Sequence, residues 1–128
     1  MSTKIIIEKV EWNNGKLLLS SNSDVDEALT PTGRMLADSK RLAFIYILET
    51  STDYMYVSIS REYWRDLQKA ITDRSTVMVV FNNQKLELVE IVEELLYLSS
   101  NIKGNANYGD EMVNEVEKIF LGTDQSTK

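Results

Sequence analysis

Apolar residues recur at every second position through most of the first two thirds of the chain, and at every third or fourth position through the last third. Period two marks strands and period 3.6 marks helices, so the pattern divides the chain into a strand-rich part and a helical part. Lys4 to Trp12 and Lys16 to Ser20 read as two strands. They are joined by Asn13-Asn14-Gly15, residues that tolerate the positive φ of a tight hairpin turn. Ser21 to Thr32 is polar, contains Pro31 and predicts a loop in which Asp26 to Leu29 can form one helical turn. A short extended segment at Arg34 to Leu36 follows. Arg41 to Glu49 is apolar on both alternate sets, which predicts a central strand covered on both faces. Tyr54 to Ser60 alternates, with Met55, Val57 and Ile59 on one side and Tyr54, Tyr56 and Ser58 on the other. These two segments predict a second hairpin, and Thr76 to Phe81 with Gln84 to Leu88 a third, turning at Asn82-Asn83.

Three segments carry the helical period. Trp64, Leu67 and Ile71 lie on one face of a helix that Ser60 can cap and that ends near Asp73. From about Val89, the residues Val89, Val92, Leu95, Leu96 and Ile102 form an apolar stripe, with Glu90, Glu93 and Glu94 outside it. Gly104 suits the left-handed position that ends this helix. Asn105 to Gly109 links it to a last helix starting at Asp110 or its neighbour, with Met112, Val113, Val116, Ile119 and Phe120 inward. The expected fold is α+β: a mainly antiparallel sheet of about six strands built from hairpins, with three helices, two of them C-terminal. Residues 1–121 are expected to form one domain and 122–128 a frayed polar tail. Glu8, Lys9, Glu11, Lys85 and Glu87 place charges where strand edges would otherwise invite pairing with another chain.

Composition narrows the chemistry more than the fold. With 43% hydrophobic and 27% charged residues the chain is an ordinary globular sequence. It has no cysteine and no histidine. Disulfides, thiolate nucleophiles, Cys-ligated metals and histidine-based triads are therefore excluded. The net charge of −6 is unevenly placed: residues 1–86 hold 11 acidic and 11 basic side chains, residues 87–128 hold 9 and 3. An acidic balance disfavours binding to nucleic acid, which needs a basic surface. The N-terminal segment meets Glu8 after three apolar residues, and the longest apolar run is Leu42 to Leu48. Neither a signal peptide nor a membrane span is expected, so the reading is cytoplasmic.

Few residues group into chemistry. Glu87, Glu90 and Glu94 fall at helical spacing and would share a face if the helix began early, where carboxylates could hold Mg²⁺ or Mn²⁺. The simpler reading is a solvated helix face, and no metal or cofactor is expected. Asp24, Asp26 and Glu27 fail the calcium-loop pattern, since the sixth and twelfth positions are Leu29 and Met35. No glycine fingerprint for phosphate is present. Asn105, Asn107 and Tyr108 gather polar groups in one short loop, either as a contact site or as an interhelical turn bonding its own backbone. Arg34, Asp38, Ser39, Lys40 and Arg41 could receive an anion, or form a local ion pair of Asp38 with Arg34 or Lys40. Tyr54 and Tyr56 would suit base stacking only beside a basic groove; packing beneath a helix or loop is the plainer expectation.

The segments Gly33 to Ser39, Phe44 to Glu49 and above all Asn101-Ile102-Lys103-Gly104-Asn105-Ala106-Asn107-Tyr108-Gly109 resemble an uncharacterised YjbL-like family of small proteins from Bacillus-type Gram-positive bacteria. The likeness spans about residues 31–121 and implies a bacterial cytoplasmic protein, with no catalytic residue to carry over. The resulting expectation is a non-enzymatic binding or regulatory protein that contacts another protein. Its contact would use the acidic helices, through Glu90, Glu93 and Glu94, and the Asn105 to Tyr108 loop, with Arg34 and Asp38 as a further site. A carboxylate-dependent, cation-using or small-ligand enzyme is the alternative.

Overall fold

A computed structural model describes residues 3–122. Among them are strands β1 (Thr3–Ile6), β2 (Lys9–Asn13), β3 (Lys16–Ser20), β4 (Thr30–Asp38), β5 (Ala43–Glu49), β6 (Tyr54–Ser60), β7 (Val77–Val80) and β8 (Lys85–Glu87). The α-helices are α1 (Trp64–Asp73), α2 (Ile91–Ile102) and α3 (Asp110–Phe120). The residues expected to fray beyond Gly122 lie outside the described range.

The fold is α+β, but the expected single sheet of about six strands is instead two four-stranded sheets, ordered β1-β6-β5-β4 and β2-β3-β7-β8. The three expected hairpin pairs, β2–β3, β5–β6 and β7–β8, are present and antiparallel, as is β4–β5. Two parallel pairings, β1–β6 and β3–β7, join hairpins that are distant in sequence.

The second sheet arises because Lys4 to Trp12 is not one strand. The Ile7 amide donates to the Ser58 carbonyl of the first sheet (3.0 Å), while the next amide, Glu8, donates to Ser20 of the second (2.8 Å). The chain thus changes sheets between adjacent residues. Ile5 and Ile7 are buried, whereas beyond the corner it is Val10 and Trp12 that pack against the core. Alternation shifts phase by one residue there, and a one-residue slip sends side chains to the opposite face. The Ile5-Ile6-Ile7 run hides that slip.

β4 is longer than the expected Arg34 to Leu36 segment and absorbs the end of the expected loop. Its pairing with β5 shifts register between Pro31 and Met35, around Gly33 at φ +75°. Proline and a left-handed glycine are admissible because β4 is an edge strand with a bulge. Asp26 to Leu29 forms no helical turn. Asn14 and Gly15, at φ +53° and +79°, make the two-residue turn of β2–β3.

Ser60 does not cap α1. It remains the last residue of β6, and the next amide, Arg61, bonds the Leu42 carbonyl across the sheet (3.0 Å) before a 3₁₀ turn at Arg61–Tyr63 leads into the helix. Phe44, Trp64 and Phe120, from β5, α1 and α3, meet with ring centroids 4.7 to 5.7 Å apart. This aromatic cluster roots α1 and α3 on the inner face of the first sheet. The Trp64 indole nitrogen is satisfied by the Ile59 carbonyl at 3.1 Å. Trp12 ties the second sheet to α1 by donating to Asp66 at 3.0 Å, with Lys69 over its ring.

α2 packs along β4. Its buried stripe is Ile91, Val92, Leu95, Leu98, Ser99 and Ile102. Val89 and Leu96, both expected inside, are exposed. The helix begins at Ile91, so Val89 falls outside it, and its buried face is centred on Ile91, Leu95, Leu98 and Ile102, which leaves Leu96, about 100° further round from Leu95, pointing outward. No helix among the described residues is long and apolar enough to cross a membrane.

Candidate functional site

The junction that starts α2 is built on a buried tyrosine. Tyr46 has no exposed surface, and its hydroxyl donates to the Val89 carbonyl (2.8 Å) while accepting from the Gly33 amide (3.0 Å). One hydroxyl therefore satisfies the bulge of β4 and the approach to α2. Burial pushes its pKa up to about 12; the Gly33 hydrogen bond opposes this, and Glu90, Glu87 and Glu94 add to it. Glu90 itself is left-handed (φ +62°) and packs on the bulge: a Cβ on Gly33 would meet its Oε1 at 3.1 Å.

Glu87, Glu90 and Glu94 do not share a helix face. Glu87 lies in β8, Glu90 precedes α2 and only Glu94 is inside it. No group of three or more residues placed to hold a metal ion occurs among the described residues. Glu87, Glu90 and Glu93 instead border a pocket of about 170 Å³ with Arg74, Ser75 and Thr76. Arg74 is the left-handed residue that ends α1, and its guanidinium meets Glu93 at 3.2 Å, both side chains well exposed. Such a pair holds the pocket mouth weakly.

Beyond this pocket α2 presents a second apolar stripe to solvent. Tyr97 is 62% exposed, Leu96 41% and Val89 37%. Positions 93, 96, 97 and 100 lie on the outer face of α2, so Leu96 and Tyr97 flank Glu93, with Glu94 half-buried at the margin; Val89 lies on the approach, before the left-handed Glu90. Two large apolar side chains adjacent on an otherwise polar helix face are the kind of surface a contact covers.

The remaining expected positions are arranged differently. Asn105 accepts from the Asn107 amide (3.0 Å) and donates to the Asn101 carbonyl (3.3 Å), within a 3₁₀ turn at Ala106–Tyr108. The Tyr108 ring packs against the core, leaving Asn107 as the exposed member. Asp38 is met by Arg41 and Lys4, each at 3.9 Å, and not by Arg34 or Lys40. Lys4 and Asp38 stand on opposite edge strands, so their approach requires a strongly coiled sheet. Tyr54 and Tyr56 lie on the outer face of that sheet, with no helix laid over Tyr54, which is 39% exposed. Sequence reasoning assigned Leu96 inward and left Tyr97 and Arg74 unplaced. The missed signal was Ile91 and Leu98, apolar positions outside the expected stripe that centre the buried face away from Leu96, and the left-handed Glu90 before the helix has no mark in the sequence.

The model of a family of unknown function, UPF0738, matches residues 5–120. The chain belongs to the UPF0738 family. A UPF0738 protein of Geobacillus sp. (strain WCH70) is 42% identical over 123 residues, covering 94% of this chain and 99% of the relative. Those of Bacillus cytotoxicus and Bacillus licheniformis are 39% and 40% identical, each covering 94% of this chain and the whole of the relative. The relatives thus come from the Bacillus-type bacteria that the Asn-Ala-Asn-Tyr-Gly resemblance indicated, and UPF0738 carries no assigned function. No solved structure matches the chain.

Proposed function

We propose that this UPF0738 protein is a non-enzymatic, cytoplasmic binding protein that holds a partner protein against the outer face of α2. The observation that carries this reading is the double-faced helix: Leu96 and Tyr97 stand exposed on an element whose opposite face already fills the core. Aromatic anchors surrounded by polar groups are what protein contacts are built around. Glu90, Glu93 and Glu94 make the surround acidic, so the complementary surface is apolar with basic flanks. The exposed Asn107 gives the contact a polar rim at the far end of the helix. A carboxylate-dependent enzyme draws no support from Glu87, Glu90 and Glu94, which occupy three different settings.

A photoreactive residue placed at Tyr97, with a control at the exposed Asn114 of α3, tests this in cells. A discrete protein adduct from position 97 that is absent from position 114 is the expected result. No adduct at 97, or the same adducts from both positions, overturns the reading.

A further inference from the structure

The hairpin tip between β2 and β3 carries chemistry that neither the core nor the α2 surface uses. Of the nine asparagines only Asn14 is followed by glycine, and no aspartate is. Asn14 and Gly15 are both exposed and make up the whole loop, because the ladder closes on Asn13 and Lys16. Their two amides therefore stand outside the ladder. Beyond its chain neighbours, no described atom lies within 4 Å of where a Gly15 side chain would begin, so the Asn14–Gly15 peptide has room to swing.

The other asparagines are held or hindered. Asn83 bonds the Val25 amide (3.0 Å) and carbonyl (2.9 Å) through its side chain, and the Asn105 side chain is tied to Asn101 and Asn107. Asn101 and Asn114 lie inside α2 and α3, where the amide that follows belongs to the helix ladder. The amide after Asn107, that of Tyr108, bonds the Asn105 carbonyl at 3.1 Å. Asn22 is the nearest rival, exposed and followed by Ser23, whose side chain crowds its own amide nitrogen.

Asn14 also has cations beside it. With Asn13, Lys16, Leu18 and Lys85 it lines a pocket of about 150 Å³. No carboxylate lines that pocket, and neither lysine has an ion-pair partner among the described residues. Positive charge there favours both the deprotonated amide and the carboxylate of an amide-to-acid conversion.

We propose that Asn14 is a site of spontaneous, irreversible modification, in which the Gly15 amide nitrogen closes on the Asn14 side chain. The nitrogen gives its proton to water and bonds Asn14 Cγ; the Cγ–Nδ2 bond breaks, and the leaving nitrogen takes up a proton and departs as ammonia. A five-membered succinimide is left. Water then opens the ring: breaking the bond from nitrogen to Cγ gives aspartate, and breaking the bond from nitrogen to the Asn14 main-chain carbon gives isoaspartate. Aspartate keeps the two-residue loop and sets a carboxylate beside Lys16 and Lys85. Isoaspartate adds a methylene to the main chain of a loop whose length fixes the register of β2 on β3. β2 is an edge strand with β3 as its one neighbour, so β2 loosens before any other strand.

The full-length chain, held in warm neutral buffer and sampled by peptide mapping with mass spectrometry, tests this; isoaspartate methyltransferase labelling separates the two products. Asn14 is expected to be lost first, mostly to isoaspartate, with Asn22 and the other asparagines still intact when half of Asn14 has gone. Lys16→Gln with Lys85→Gln, both at exposed positions, should slow the loss about two- to threefold. Hydrogen exchange across β2 should be faster in the isoaspartate form than in Asn14→Asp, which has the same charge and an ordinary main chain. An Asn14 that survives as long as Asn22, or an earlier loss at another asparagine, overturns the proposal. An unchanged rate in the double lysine variant overturns the part given to the pocket, and equal exchange in the two acidic forms overturns the loosening of β2.

Discussion

The two C-terminal helices both carry carboxylates, and they use their apolar side chains in opposite ways. α3 buries Met112, Val116, Ile119 and Phe120 and shows no large apolar side chain to solvent. Two of its four carboxylates meet groups of the chain: Glu115 is approached by Arg61 and Lys118 (both 3.9 Å), and Glu117 receives the Gly104 amide (2.8 Å). α2 buries a comparable stripe yet leaves Leu96 and Tyr97 outside, beside Glu93. The difference teaches that an acidic helix is read by what its apolar side chains do: those of α3 all serve the core, and two of α2's remain available to something else.

The largest effect should come from α3's inner face. Phe120→Ala removes one of the three rings joining β5, α1 and α3, and is expected to cost about 3–5 kcal/mol in chemical denaturation. A loss near zero would mean that α3 is not rooted there. A middle-sized effect belongs to the α2 junction. Tyr46→Phe strands the Gly33 amide and the Val89 carbonyl together, with an expected cost of about 1–3 kcal/mol.

The same tyrosine gives the comparison a pH signature. Its pKa is raised from 10.0 to about 12 in the folded chain, so above pH 10 the unfolded chain releases this proton more readily than the folded one does. The tyrosine's contribution is present in full below pH 10 and is lost as pH rises toward 12. Wild type should therefore lose its margin over Tyr46→Phe across that window, and a constant margin would contradict the buried hydroxyl. The smallest stability effect is expected at α2's outer face. Leu96→Ser and Tyr97→Ser should each change stability by no more than about 0.5 kcal/mol. A cost comparable to that of Phe120→Ala would show that these side chains serve the fold and would erase the contrast with α3.

Strands and helices were legible where local chemistry decides them. The Asn14-Gly15 turn, the doubly covered β5 and the α3 stripe follow from period and turn residues alone. What escaped was set by long-range pairing. A run of three isoleucines concealed the corner at Ile7-Glu8, and Pro31 with Gly33 disguised an edge strand as a loop. The acidic surface was located by charge counting, which gave Glu90, Glu93 and Glu94 but not their geometry. Leu96 and Tyr97 were invisible as surface residues because α2 is apolar at so many positions that more than one stripe can be drawn, and the buried one runs through Ile91 and Leu98.

The corner between β1 and β2, where the chain changes sheets, also bears on the order of assembly. β2 finds its partner β3 a few residues on, but β1 pairs with β6, roughly 50 residues downstream. At synthesis rates of about 5–20 residues per second, β1 spends several seconds outside the ribosome before that partner exists. During that time it is a short apolar ribbon with open edges, and Lys4, Glu8 and Lys9 are its protection against pairing with a neighbouring nascent chain. The same charges remain at open edges in the finished fold, where β1 and β2 are each the first strand of a sheet.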